Sequence, residues 1–253
     1  MSMKSTQFLA HVSLITLCAT GQLYSWYFHY QTHASVTNNQ NSGTTRAPLV
    51  TILLAPAGDV HNQGRSLEHQ FEHSITMTCA QSLKNTIETL YPDVRVLISH
   101  RMGESYHTFQ VATMGNTMDI DLVISLHCYH EEGAKPIISL YHYSNGNDFV
   151  NKMSRAAWHT PDTAYLWSKD TTCSWIKILT RELKSPAYAT LFNVTGPYKL
   201  PFKPLSGIKV PAIGIEMSLK QDDDWSTYID PLAHAHKSIF DLLIHTKTQA
   251  DSL

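Results

Sequence analysis

No basic run occurs anywhere in this chain, no like-charge run exceeds the three aspartates Asp222–Asp224, and its formal charge is only -2 over 253 residues. A clustered basic face is the electrostatic footprint of a nucleic-acid-binding protein, so no nucleic-acid partner is expected. The same absence removes a polybasic membrane patch. Cysteine is scarce: Cys18, Cys79, Cys128 and Cys173, with no closely spaced CxxC pair. A structural zinc knuckle is therefore not expected. Cys18 lies in an apolar N-terminal run. The other three leave room for one disulfide at most, and small buried thiols are the simpler expectation. No internal repeat is evident. Charged residues make up 16% and apolar residues 43%, a balance that suits a globular core and not a disordered chain.

The N-terminus differs from the rest. Residues 8–28, "FLAHVSLITLCATGQLYSWYF", hold no Asp, Glu, Lys or Arg. About 20 such residues span a bilayer as a helix. An N-terminal membrane anchor or signal segment is expected over 1–30, with Lys4 on the cytoplasmic side and Trp26, Tyr27 and Phe28 at the far interface. A cleaved signal peptide is the close rival, although "CATG" is a poor cleavage site. Residues 31–47 are polar, lack an apolar period and read as a linker. The folded domain is expected over 48–253, on the far side of the membrane. That makes it an extracytoplasmic (periplasmic) domain of the cell envelope, anchored to the inner membrane or secreted.

Within the domain, apolar runs alternate with helical periods. "LVTILLAP" (49–56) reads as a strand buried on both faces. Phe71, Ile75, Cys79, Leu83, Ile87 and Leu90 recur every three or four residues, which is one face of a helix. "VRVLIS" (94–99), "DLVISLH" (121–127) and "PIISLYHY" (136–143) read as strands, with a helix over 104–118 between the first two. Residues 164–183 read as a helix with Trp167, Ile176, Leu179 and Leu183 facing the core. Residues 185–206 carry four prolines and read as a long loop. "VPAIGIEMS" (210–218) is a last strand, and 230–245 a closing helix. This alternation predicts an α/β fold, with a central, mostly parallel twisted sheet and helices on both faces.

Ligands in open α/β sheets sit beyond the C-terminal ends of the strands. Asp59 and His61 follow strand one, His127 ends strand three, Glu216 stands near the end of the last strand, and Glu72 opens the first helix at the same edge. Each has an ordinary explanation alone. A helix dipole favours a glutamate at its start, and a histidine often closes a strand as a satisfied polar group. Glu216 is harder to dismiss, because a carboxylate in an apolar strand is costly unless paired. Together, histidines and carboxylates at one edge are what a catalytic zinc needs: three protein ligands and an open position for water. Such an ion lowers the pKa of its water to about 7, and a neighbouring carboxylate takes the proton.

"GNTMDIDLVISLHCY" (115–129) resembles the zinc-dependent N-acetylmuramoyl-L-alanine amidases of the amidase-3 type. Asn116, Asp121, Leu122, Ser125 and His127 fall in register with that family's pattern. "VPAIGIE" resembles its last strand and places Pro211, Ala212 and Glu216. "EHSITMTCAQSLKNTIE" (72–88) resembles the helix that opens with a glutamate ligand, here Glu72. "VRVLISHR" resembles the strand ending in Thr-Arg, here Arg101. The resemblance covers roughly 49–245. It implies zinc held by a histidine of the first loop together with Glu72 and His127, with Glu216 as the general base. It places Arg101 and Asn116 among the substrate-binding residues. The implied reaction is hydrolysis of the amide between the lactyl group of N-acetylmuramic acid and L-alanine in peptidoglycan.

Two departures bear on that expectation. The family's first loop carries a histidine where this chain has Gly58, so His61, three residues on, is the expected third ligand, with Asp59 as a second substitute. The family's arginine ahead of the Ala-Asn is replaced by Val111. A metal-free relative that binds cell-wall material, or regulates its turnover, is therefore the alternative. A cysteine hydrolase is the third reading. It is disfavoured because Cys128 and His127, as neighbours on a strand, point to opposite faces.

Overall fold

Four of the apolar runs become the parallel part of one sheet. The computed structural model describes residues 49–107, 109–133, 135–146 and 160–250, all within the compact unit Arg46–Leu253. The anchor and linker expected over 1–47 lie outside the described residues. Among the described residues, no helix is long and apolar enough to cross a membrane.

The strands are β1 (Val50–Pro56), β2 (Val94–Ile98), β3 (Leu122–His130), β4 (Ile137–Tyr143), β5 (Asn193–Leu200) and β6 (Ala212–Leu219). They form one six-stranded sheet in the order β2-β1-β3-β6-β4-β5. β2, β1, β3 and β6 run parallel. β4 pairs antiparallel with β6, and β5 runs parallel to β4. The helices are α1 (Glu72–Leu90), α2 (Gln110–Thr117), α3 (Lys169–Leu183), α4 (Ile229–Ala235) and α5 (Lys237–Ala250). Alternation along the strands sends Ile52, Leu54, Ile124 and Leu126 into a core shared with α1, α3, α4 and α5. It sends Leu53 and Val123 into a smaller core under α2 and the segments around Tyr165 and Ile208. Helices thus cover both faces, as the strand pattern predicts.

Several local expectations are corrected. The helix expected from 104 begins only at Gln110. The expected helix over 164–183 is a 3-10 turn, Ala164–Trp167, followed by α3. Trp167, read as core, is 53% exposed. The proline-bearing stretch 185–206 contains β5, an edge strand that tolerates Pro197 because its outer side has no neighbouring strand among the described residues. The closing helix breaks between α4 and α5 at His236. That ring is fully buried, stacks on Phe240, and bonds through Nδ1 to the Leu232 carbonyl at 2.7 Å. Its Nε2 has no partner among the described residues, and burial lowers its pKa to about 4.

The loop 57–71 between β1 and α1 positions the functional edge. Ala57 N–H donates to the Leu126 carbonyl at 2.9 Å, docking the loop's start on β3. Gly58 has φ +73, and a Cβ there would meet the Asn62 carbonyl oxygen at 2.6 Å. Asp59 is buried, and its carboxylate accepts backbone N–H groups from Asn62 (2.7 Å), His61 (2.8 Å) and Tyr106 (3.3 Å). Burial alone would raise the Asp59 carboxyl, but these donors outweigh it and hold it below the usual carboxylate range. The loop then turns back onto α1. Glu72 N–H donates to the Arg65 carbonyl (2.9 Å) and His73 N–H to that of Gln63 (3.0 Å), which satisfies two orphan donors of the helix start. Farther out, the Asp222 carboxylate accepts Glu68 N–H at 3.2 Å and His69 N–H at 2.8 Å.

Gly58→Ala should destabilise by about 3 kcal/mol in urea unfolding, because left-handed backbone strain adds to a backbone clash. Gly103→Ala, at φ +81 but with nothing within 4 Å of an added Cβ, should lose only about 1 kcal/mol. Equal losses would contradict the packing described for Gly58. His236 sets a pH dependence. Its folded pKa lies below its unfolded one, so acid protonates the unfolded chain first and stability falls as pH drops below about 6.5. Relative to His236→Leu, the wild type should lose about 2 kcal/mol more between about pH 7 and about pH 5 in the same urea assay.

Candidate functional site

β3 and β6 are adjacent and in register, and His127 is paired directly with Glu216. Both side chains point to the face that carries the smaller core. Ser125 and Tyr141 share that face through the two-residue period of β3 and β4. Across the strand ends, α1 delivers Glu72 from its first turn. Three of the residues singled out in the sequence therefore meet at the C-terminal edge of the parallel strands.

Glu72 and His127 form the inner pair. Glu72 Oε1 stands 3.2 Å from His127 Nδ1 and accepts Cys128 N–H at 3.2 Å. Its Oε2 accepts Arg65 N–H at 3.1 Å. Gly64 makes this possible, since a Cβ there would lie 2.7 Å from Oε2. Burial would raise the Glu72 carboxyl. The His127 contact and the nearby Arg65 outweigh that and hold it low, so the group is ionised. On the far side of the ring, Nε2 lies 2.9 Å from the Ser125 hydroxyl. With Nδ1–H donating to Glu72, the neutral ring accepts from Ser125. Ser125, His127 and Glu72 thus have the hydrogen-bond order of a nucleophilic triad. Ser125 is 2% exposed, however, and serves to orient the ring.

Glu216 and Arg65 form the outer pair. Arg65 Nη1 donates to Glu216 Oε1 at 2.6 Å and to the Cys128 carbonyl at 3.3 Å. The Tyr141 hydroxyl donates to Glu216 Oε2 at 2.7 Å. Burial, then that contact, push the Tyr141 phenol up to about 12, so it stays a neutral donor. Burial alone would lower the Arg65 pKa, but Glu216 and then Glu72 outweigh it and raise it. Arg65 also lies over the Tyr129 ring at 5.8 Å. Phe202 closes one wall, edge-on to His127 at 4.9 Å and stacked on Tyr141 at 5.1 Å. Gly214 on β6 permits that wall, because an added Cβ would lie 2.9 Å from the Phe202 ring.

The other expected site residues are not brought to this cluster. His61 is exposed, and its backbone is tied to Asp59. Asp59, the second substitute, already serves three N–H donors. Arg101 follows β2 at the same sheet edge with an exposed side chain. Asn116 lies at the opposite edge, near the starts of β3 and β6. Its amide donates to the Gly207 carbonyl and accepts Lys209 N–H, each at 2.8 Å, so it fastens α2 to the loop before β6. Cys79 and Cys128 are fully buried. Burial pushes the Cys79 thiol up to about 12 and raises Cys128 as well. Neither is placed as a nucleophile.

Zinc ligands at about 2.0 Å from a tetrahedral ion stand roughly 3.3 Å from one another. The Glu72–His127 spacing of 3.2 Å matches one such edge. A catalytic zinc needs a third protein ligand, and Gly58 stands where the amidase pattern has its histidine. Among the described residues, no three His, Cys, Asp or Glu side chains are grouped to hold an ion. The Arg65 guanidinium lies alongside, bonded to Glu216 and the Cys128 carbonyl. The residues present offer two donors and a competing cation, and they do not fit a catalytic zinc.

Arg65, Tyr141 and Phe202 were missed by sequence reasoning. Tyr141 has a legible signal, because in "IISLYHY" it shares the parity of Ser139 and so the face opposite Leu140. Arg65 and Phe202 reach the site through loops and leave no periodic trace.

No family model matches the chain, and no curated protein matches it in sequence. Solved structures do. The catalytic domain of CwlV, an N-acetylmuramoyl-L-alanine amidase from Bacillus (Paenibacillus) polymyxa var. colistinus, superposes with TM-score 0.53 at 11% identity, over 76% of this chain and 98% of that one. The apo form of the amidase Ami1 from Mycobacterium abscessus gives 0.54 at 13%, over 75% and 97%. The CwlD amidase from Clostridioides difficile, in complex with the GerS lipoprotein, gives 0.51 at 14%, over 79% and 99%. The fold of this chain is that of the N-acetylmuramoyl-L-alanine amidase catalytic domains.

Proposed function

We propose that this chain is a cell-envelope protein whose amidase-fold cleft binds peptidoglycan at the junction of N-acetylmuramic acid and the L-alanine of the stem peptide, and holds that junction without cutting it. One observation carries the reading. The sheet edge presents the amidase-type residues Glu72, His127 and Glu216, but Glu216 is already engaged by Arg65 at 2.6 Å and by Tyr141 at 2.7 Å. A guanidinium and a phenol bonded to a carboxylate favour its ionised form and lower its basicity, which disfavours it as a general base. In this reading Arg101, exposed at the same edge, contributes a guanidinium to a carboxylate of the stem peptide. The segment 1–30 keeps the domain on the extracytoplasmic side of the inner membrane, as an anchor or a signal.

A second reading is hydrolysis of the same amide by a zinc-activated water, with Glu216 as base and His61, Glu72 and His127 as ligands. The spacing of the Glu72–His127 pair favours it. The position of His61 does not.

The two readings separate on purified sacculi. The full chain should co-sediment with sacculi and release no stem peptide, as read by chromatography of the soluble fraction. Arg101→Ala should weaken co-sedimentation by about tenfold, the equivalent of one charge-assisted contact. Release of peptide by the wild type, abolished in Glu216→Gln, would establish the second reading. A chain that neither sediments with sacculi nor releases peptide would overturn both.

A further inference from the structure

We infer that Arg65 is the resident cation of this site, its guanidinium filling the electrostatic place that a bound metal ion would take beside Glu72 and Glu216. The inference deepens the binding reading and rests on it.

Three independent features place Arg65 there. Its backbone is locked to α1 in both directions: Arg65 N–H donates to Glu72 Oε2 at 3.1 Å, and Glu72 N–H donates to the Arg65 carbonyl at 2.9 Å. Its side chain, 52% exposed, is laid across the edge by the Cys128 carbonyl at 3.3 Å and the Tyr129 ring, and ends 2.6 Å from Glu216 Oε1. The loop that carries it has no room for the absent ligand, because Gly58 is left-handed and a Cβ there meets backbone.

Charge explains why one guanidinium suffices. Two carboxylates converge on this edge, with side-chain exposures of 6% for Glu72 and 12% for Glu216. Buried carboxylates need a partner. Glu72 has His127 and two N–H donors, and Glu216 has Arg65 and Tyr141. Of these two carboxylates, neither is left uncompensated to attract a divalent ion. A guanidinium is always charged and cannot be withdrawn by chelation, so the site is complete without metal supply.

The test measures metal, not activity. The full-length wild type, dialysed at neutral pH, should hold far less than one zinc per chain by plasma mass spectrometry, and zinc should leave its melting temperature unchanged. Arg65→Gln removes the cation and leaves two carboxylates and an imidazole. It should melt lower than wild type, recover on adding zinc, and bind zinc about tenfold tighter in competition with a chromophoric chelator. Arg65→Lys keeps a positive charge and should stay insensitive to zinc. About one zinc per wild-type chain, lost in His127→Ala, would overturn the inference. So would an Arg65→Gln chain that melts like wild type or takes up no more zinc. If Arg65→Gln does not fold, the wild-type zinc content and the Arg65→Lys melt still decide the matter. Sacculus co-sedimentation, measured in parallel, reports separately on the binding reading.

Discussion

The position of one carboxylate organises this edge of the sheet. Glu72 is held by backbone N–H groups from two sides, Arg65 from the loop and Cys128 from β3. Those contacts join the loop, the start of α1 and the end of β3 into one unit. His127 then has a fixed partner, and Arg65, whose main chain is tied to the same carboxylate, has a fixed origin from which to reach Glu216. A shift in Glu72 would move all four groups. That is why the first turn of α1 is the most densely constrained part of the site.

Much of the fold was legible because burial on both faces leaves a simple record. β1, β3 and β6 are continuous apolar runs, and α1 shows an unbroken helical period. These elements also carry Glu72, His127 and Glu216, so the inner geometry of the site could be read from the chain. The parts that were not legible share a physical cause. β5 is a half-exposed edge strand with Pro197, so neither alternation nor propensity marks it. The break at His236 depends on packing against Phe240, and the exposure of Trp167 on a local 3-10 turn. Arg65 arrives by a loop, and its partner Glu216 is 151 residues away in sequence. Pattern reading has no access to such a pair. Asn116 fell in register with a family motif, yet its amide is a fastening at the far edge of the sheet. Register alone could not say what the side chain touches.

The electrostatics of the site reconcile an amidase fold with an altered loop. Moving a carboxylate into a strand end is tolerable only when a positive group or several donors accompany it. Glu216 poses that requirement at β6. Here an organic cation meets it, supported by Tyr141 and walled by Phe202. The cleft lies at the C-terminal ends of the parallel strands. Glu216 is engaged there by both Arg65 and Tyr141.

Gly58 also limits what this loop can become. A side chain cannot be added at that residue without recasting the turn that Asp59 and Asn62 now close. Placing an imidazole there would break the loop before it could supply a ligand. The backbone therefore acts as a latch: while the turn keeps its present form, residue 58 cannot carry a side chain unless the loop is rebuilt around it.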